Sequence, residues 1–174
     1  SPTDMCMLVA VENRGPEAAT LHVLPTLWFR NTWAWGLPGF DEVPEIRGYD
    51  QGTLVGKHRT LGRIVLAGEG SPQALVCDNE NNAQRLWGLG GRSPYPKDGI
   101  NDYVVSGKPT VNPARVGTKA ALHYVLDVPP GQTRTVRLRL ALVATPADEW
   151  SPAAAARRHA HLDLRKDFDA IVAA

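Results

Sequence analysis

The stretch KAALHYVLDVPPGQTRTVRLRLAL, Lys119–Leu142, decides the fold class. In its first half Ala120, Leu122, Tyr124, Leu126 and Val128 recur at every second position. In its second half Val136, Leu138, Leu140 and Leu142 do the same, with Thr135, Arg137 and Arg139 between them. A period of two belongs to a β-strand with one face in a core and the other in water, because successive side chains point to opposite faces. The intervening VPPGQT has turn composition, so the two halves predict a half-buried hairpin.

Outward from this pair the chain carries further strand patterns. Arg63–Ala67, Ala74–Cys77 and Ala83–Trp87 are short candidates. Asp4–Glu12, DMCMLVAVE, is apolar at odd and even positions alike, as in a strand buried on both faces. Asn13-Arg14-Gly15-Pro16 supplies turn chemistry and Thr20–Phe29 is strand-like again, so these two segments predict an antiparallel hairpin. Leu37–Gly62 and Gly88–Gly117 are rich in Gly, Pro, Asn and Asp and are expected to be long structured loops. Beyond the strands, Ser151-Pro152 pairs a helix cap with proline at the first helical position. Leu164, Phe168, Ile171 and Val172 then fall at i, i+4, i+7 and i+8, an apolar helical stripe. Many strands followed by terminal helices point to a mainly β protein, an antiparallel β-sandwich over residues 1–145 with a helical linker over 146–174.

At 174 residues, 43% hydrophobic and 21% charged, the chain has the composition of one ordinary globular domain. A formal charge of +1 offers no electrostatic reason to expect nucleic acid or an anionic membrane as partner. No apolar run approaches the roughly 20 residues that span a bilayer. Ser1-Pro2-Thr3-Asp4 lacks the basic start and apolar stretch of a signal peptide. Cys6 and Cys77 do not make a disulfide framework, and Cys6 lies in an apolar run where a thiol behaves as a small hydrophobe. Two free buried thiols and a cytoplasmic location are the expectation. The chain begins without Met, almost on a strand, and stops at DFDAIVAA within a helical pattern, so a larger parent protein is also expected.

LHVLPTLWFRNTWAWG, Leu21–Gly36, holds three of the five tryptophans. Trp28 falls within a strand, where a large aromatic commonly fills the core. Trp33 and Trp35 point the same way if their segment is extended. Such rings stack on the C–H face of a pyranose, pack inside a sandwich, or cover a face meant for another domain. YPKDGINDYVV, Tyr95–Val105, opens with a tight turn at Pro96–Gly99 and contains Asp98 and Asp102. These are the best local pair for acid–base work on a glycosidic bond. In loops the same residues also serve to fix the backbone by hydrogen bonding.

Of the histidines, His159 and His161 are two apart and diverge on a helix. His22 and His123 lie in separate strands where they can be neighbours, with no Cys or acid at ligand spacing beside either, so no metal site is expected. GLGGR, Gly88–Arg92, lacks the spacing and the Lys-Ser/Thr ending of a phosphate-binding loop, and no Gly-x-Ser-x-Gly elbow occurs. No cofactor is expected.

Four segments in order carry a resemblance: PTLWFRNTWAWG (Pro25–Gly36), CDNENNAQRLWG (Cys77–Gly88), KDGINDYVV (Lys97–Val105) and NPARVGTKAALHY (Asn112–Tyr124). Together they resemble bacterial proteins of glycoside hydrolase family 63, the processing α-glucosidase-like group, in the region preceding the catalytic barrel. The resemblance covers most of Asp4–Leu142. It implies a β-sandwich of the super-sandwich, galactose mutarotase-like type, then a helical linker and an (α/α)6 barrel holding both catalytic acids. No position here matches those acids, so no catalytic residue is carried over. An inverting pair would stand roughly 6.5–9.5 Å apart across the bond.

The implied partner is the (α/α)6 domain of the same polypeptide, with a glucoside or oligosaccharide as the further ligand. Trp33, Trp35, Phe40 and Tyr49 fit the aromatic make-up of a docking surface. A loop such as Lys97–Val105 would reach the barrel mouth. Candidate substrate contacts are Trp33, Trp35, Asp98, Asn101, Asp102 and Tyr103. Two other functions compete with this non-catalytic, pocket-shaping role. One is a carbohydrate-binding module with the Trp28–Trp35 cluster as its platform. The other is a mutarotase-like sugar enzyme, for which His123 with Asp98 is the one nominated pair.

Overall fold

The computed structural model describes residues 3–50, 52–143 and 170. Two antiparallel sheets form a sandwich-like, mainly β fold. The larger runs in the order β1 (Asp4–Glu12), β10 (Thr133–Val143), β6 (Gly62–Gly68), β5 (Thr53–His58), β4 (Glu45–Tyr49) and β8 (Val116–Gly117). The smaller is built around β9 (Lys119–Val128), which pairs with β2 (Ala19–Val23), β3 (Thr26–Trp28) and β7 (Gln73–Cys77). Strands β2 and β3 share one register along β9, Val23 opposite Tyr124 and Thr26 opposite Ala121. They are interrupted at Pro25, which has no N–H to give but still accepts from Leu122 N at 3.0 Å. The core lies between the sheets, with Ile46, Leu54, Ile64, Val136 and Leu138 on one side and Leu27, Val76, Ala120, Leu122 and Tyr124 on the other.

The alternation in Lys119–Leu142 places most of its residues as expected, though Leu142 is exposed and Ala121, on the other face, is buried against Ile100. The segment is not a hairpin, however. Strands β9 and β10 belong to different sheets, and so do β1 and β2, the other expected hairpin. Instead β1 pairs with β10 and β2 with β9, and both connections cross the sandwich. Asn13 locks the two crossings together. Its backbone N donates to Gln132 O at 3.0 Å, its carbonyl accepts from Gly131 N at 2.8 Å, and its Nδ2 reaches Val128 O at 2.7 Å. Pro129 and Pro130 supply no backbone donors, so the chain cannot continue a ladder there and is free to change sheets.

Strand β1 is not buried on both faces. It is the edge of the larger sheet, with Met5, Met7 and Leu8 about half exposed. Its N-terminal side carries an ion pair to the neighbouring strand, Arg139 Nη2 to Asp4 Oδ2 at 2.6 Å. Leu37–Gly62 is likewise not all loop, since it contains β4 and β5. The glycines that suggested a loop are required by packing. A Cβ on Gly48 would meet Ala74 Cβ at 2.7 Å, and one on Gly56 would meet the Phe29 ring at 3.0 Å.

Two short helices stand where sequence reading placed a strand and a loop. Ala83–Trp87 is helix α1, not a strand, opened by Asn82, whose side chain accepts from Arg85 N at 3.0 Å, and closed by Gly88 at φ 68°. Gly99–Ser106, inside the expected loop, is helix α2. The turn at Pro96–Gly99 leads into it as expected, with Gly99 N bonded to Pro96 O at 2.8 Å. Helix α2 covers the outer face of the smaller sheet, where Ile100 packs with Leu75, Cys77 and Ala121. Cys77 is buried, Cys6 is only partly so, and both are free thiols. Apart from residue 170, the expected helical linker, including the Ser151-Pro152 cap and the Leu164, Phe168, Ile171 and Val172 stripe, lies outside the described residues.

Candidate functional site

The tryptophan segment does not run extended past Phe29. Trp33–Trp35 forms a 3-10 turn, so Trp33 and Trp35 diverge. Trp33 is part-buried against the core, and its Nε1 donates to Glu80 Oε1 at 2.9 Å. Trp35 is about half exposed and flanked by the Phe40 ring at 5.9 Å, with the Arg30 guanidinium 5.0 Å from its ring centre. Phe29 turns inward and is buried. Trp28, on β3, turns outward and is 55% exposed, so this strand tryptophan is not core.

Between Trp28 and Trp35 lies a cleft of about 690 Å³, whose polar wall includes Glu80, Asn81, Lys97 and Lys119. Its walls come from three parts of the chain that are stitched together. Asn79 Nδ2 donates to Phe29 O and Asn31 Nδ2 donates to Asn79 O, both at 2.8 Å. Asn79 N donates to Thr118 Oγ1 at 2.7 Å, and Lys119 Nζ reaches Lys97 O at 2.9 Å. Asn79 of the CDNENN segment therefore holds the cleft's shape. The sequence gives Glu80 and Asn81 of that segment no role. Neither its spacing nor its composition marks it as a wall of the tryptophan site.

The other candidate residues sit apart from the two tryptophans, on α2 and its cap. Arg85 Nη1 lies 3.1 Å from Asp98 Oδ2 and 3.3 Å from Asp102 Oδ1, and Asn82 Nδ2 also donates to Asp98 at 3.1 Å. Hydrogen bonds to Asp98 and Asp102 raise the Arg85 pKa above its ordinary value. One guanidinium thus bridges both carboxylates. That arrangement clamps α1 to α2 and gives both carboxylates a structural partner. Both acids border a smaller pocket of about 260 Å³. Asn101 is exposed, and the Tyr103 hydroxyl accepts from Gln73 Nε2 at 3.1 Å.

His22 and His123 are neighbours, as their strands allowed. Their rings stack with centres 5.0 Å apart, and His22 Nδ1 lies 2.7 Å from His123 Nε2. Burial, and then the charge of His22, lowers the His123 pKa. The nominated pair of His123 with Asp98 is not made: the bonded partner of His123 is His22, and those of Asp98 are Asn82 and Arg85. Among the described residues no group of three or more His, Cys, Asp or Glu is placed to hold a metal ion. No helix among them is long and apolar enough to cross a membrane.

No protein-family model matches the chain. It is similar to YMR196W, an uncharacterized protein of Saccharomyces cerevisiae, at 28% identity over 166 residues. The match covers 80% of this chain and 15% of the yeast protein, so the chain spans a small part of that relative's length.

Proposed function

We propose that this chain is a non-catalytic β-sandwich module of a larger glucosidase-like glycoside hydrolase. In this reading it packs against an (α/α)6 catalytic domain and helps shape the active site. The sandwich would then be of the super-sandwich, mutarotase-like type.

The observation that carries the reading is the exposure of large apolar side chains along helix α1. Leu86, Trp87 and Leu89, on or just after α1, are each about 60% exposed. Large apolar side chains exposed close together along the chain suit an interaction face, and aromatic anchors are what an interface core uses. The small share of the yeast relative that the chain matches agrees with a module in a long polypeptide.

The test is to express the chain alone and measure hydrophobic-dye binding and sedimentation. Dye binding or self-association that falls when Leu86→Ser and Trp87→Ser are introduced is the expected result. A dye-silent monomer would count against a docking face. Turnover of any sugar by the purified chain would replace the module with the mutarotase-like enzyme.

A further inference from the structure

We infer that the cleft between Trp28 and Trp35 is a saccharide-binding site of this chain itself, taking a pyranose ring against Trp28. This goes beyond the module reading and stands or falls separately from it. The assignment follows from which groups around the cleft are already engaged. Trp33 is turned toward the core and its N–H is given to Glu80. Trp35 is flanked by Arg30 and Phe40. Trp28 remains, more than half exposed on the cleft wall and with no ring partner among the described residues.

The polar groups sort in the same way. The carboxylate of Glu80 uses one oxygen on Trp33, leaving the other as an acceptor. The ammonium of Lys119 uses one donor on the Lys97 carbonyl and has two more. The side chains of Asn81 and Lys97 have no hydrogen-bond partner among the described residues. An aromatic face beside open acceptors and open donors suits a ring whose flat C–H face is apolar and whose rim of hydroxyls both donates and accepts. An aliphatic ligand would leave those charged groups without partners. At about 690 Å³ the cleft falls in the size range of small-molecule sites.

The test titrates the chain alone with methyl α-glucoside, maltose and glucuronate, followed by tryptophan fluorescence and by NMR shifts. The expected result is saturable binding of at least one of these sugars, weakened roughly tenfold by Trp28→Ala. Trp87→Ala, on α1 and outside the residues lining the cleft, leaves the affinity unchanged. Circular dichroism of both variants checks that exposed-site replacements leave the sheets intact. Absence of saturation by all three sugars, or equal affinity of the Trp28→Ala variant and the parent chain, overturns the assignment.

Discussion

Tyr124 and Gly68 meet across the sandwich, and the pair gives a direct test of the cross-sheet topology. The Tyr124 side chain reaches from β9 toward β6, and its hydroxyl is buried without a hydrogen-bond partner among the described residues. Burial, with the Glu69 charge adding, raises its pKa above the ordinary 10. A Cβ on Gly68 would sit against that hydroxyl, 2.9 Å from Leu122 Cδ1 and 3.3 Å from Leu138 Cδ2. A buried polar group left unbonded costs about 1–3 kcal/mol. Tyr124→Phe removes that cost and keeps the ring, so a gain of about 1 kcal/mol is expected, or roughly 2–4 °C in Tm for a domain of this size.

Gly68→Ala overpacks the same spot, at a cost of about 1–3 kcal/mol. In the Tyr124→Phe background the largest clash is gone. The cost of Gly68→Ala should then fall by about 1 kcal/mol, the scale of coupling between residues in contact. Urea unfolding of all four proteins, with slopes as well as midpoints, measures this cycle. If Tyr124→Phe proved clearly less stable, or Gly68→Ala cost the same in both backgrounds, β6 and β9 would not face one another as described.

Two other outcomes follow from the side-chain environments. Because burial depresses the His123 pKa below its ordinary 6.5, the unfolded chain binds more protons than the folded one just below that pH. Its contribution to stability is therefore present above pH 6.5 and lost as pH falls through the depressed value. His123→Gln should flatten this acid limb of a stability-versus-pH curve, and an unchanged limb would refute the assignment. Burial also pushes the Cys77 thiol up to about 11, while Cys6 is partly exposed. Iodoacetamide at pH 8 should label Cys6 alone in the native protein and both cysteines in denaturant, counted by mass spectrometry. Rapid native labelling of Cys77 would contradict its burial beneath α2.

The alternation in β9 and β10 made the strands and their inward residues readable, because a period of two is a local property of the backbone. The turn at Pro96–Gly99 was readable for a similar reason, whereas the meeting of His22 and His123 was left open until the pairing of β2 with β9 was known. Helix α1 was missed because five residues are too few to show a helical period. Its bracketing Asn82 and Gly88 were the available signal. Strands β4 and β5 were missed because Gly48 and Gly56 carry loop composition, although both glycines are there to let Ala74 and Phe29 approach. For the candidate site, sequence brought the tryptophans into view and nominated Asp98 and Asp102. The wall formed by Glu80, Asn81, Lys97 and Lys119 was not legible, since its parts are far apart along the chain.

By itself, then, the sequence determined a mainly β chain, the inward face of its clearest strands, and a cluster of aromatic rings near Trp28. Which strands pair was decided only in three dimensions. Alternation says which way a side chain points but not whether the next strand lies beside it or across the core, and at Asn13 and Pro129-Pro130 the chain crosses. The same holds for the rings. Trp28 is open to the cleft while Trp33 and Phe29 are not, because burial depends on what packs against each residue from distant segments.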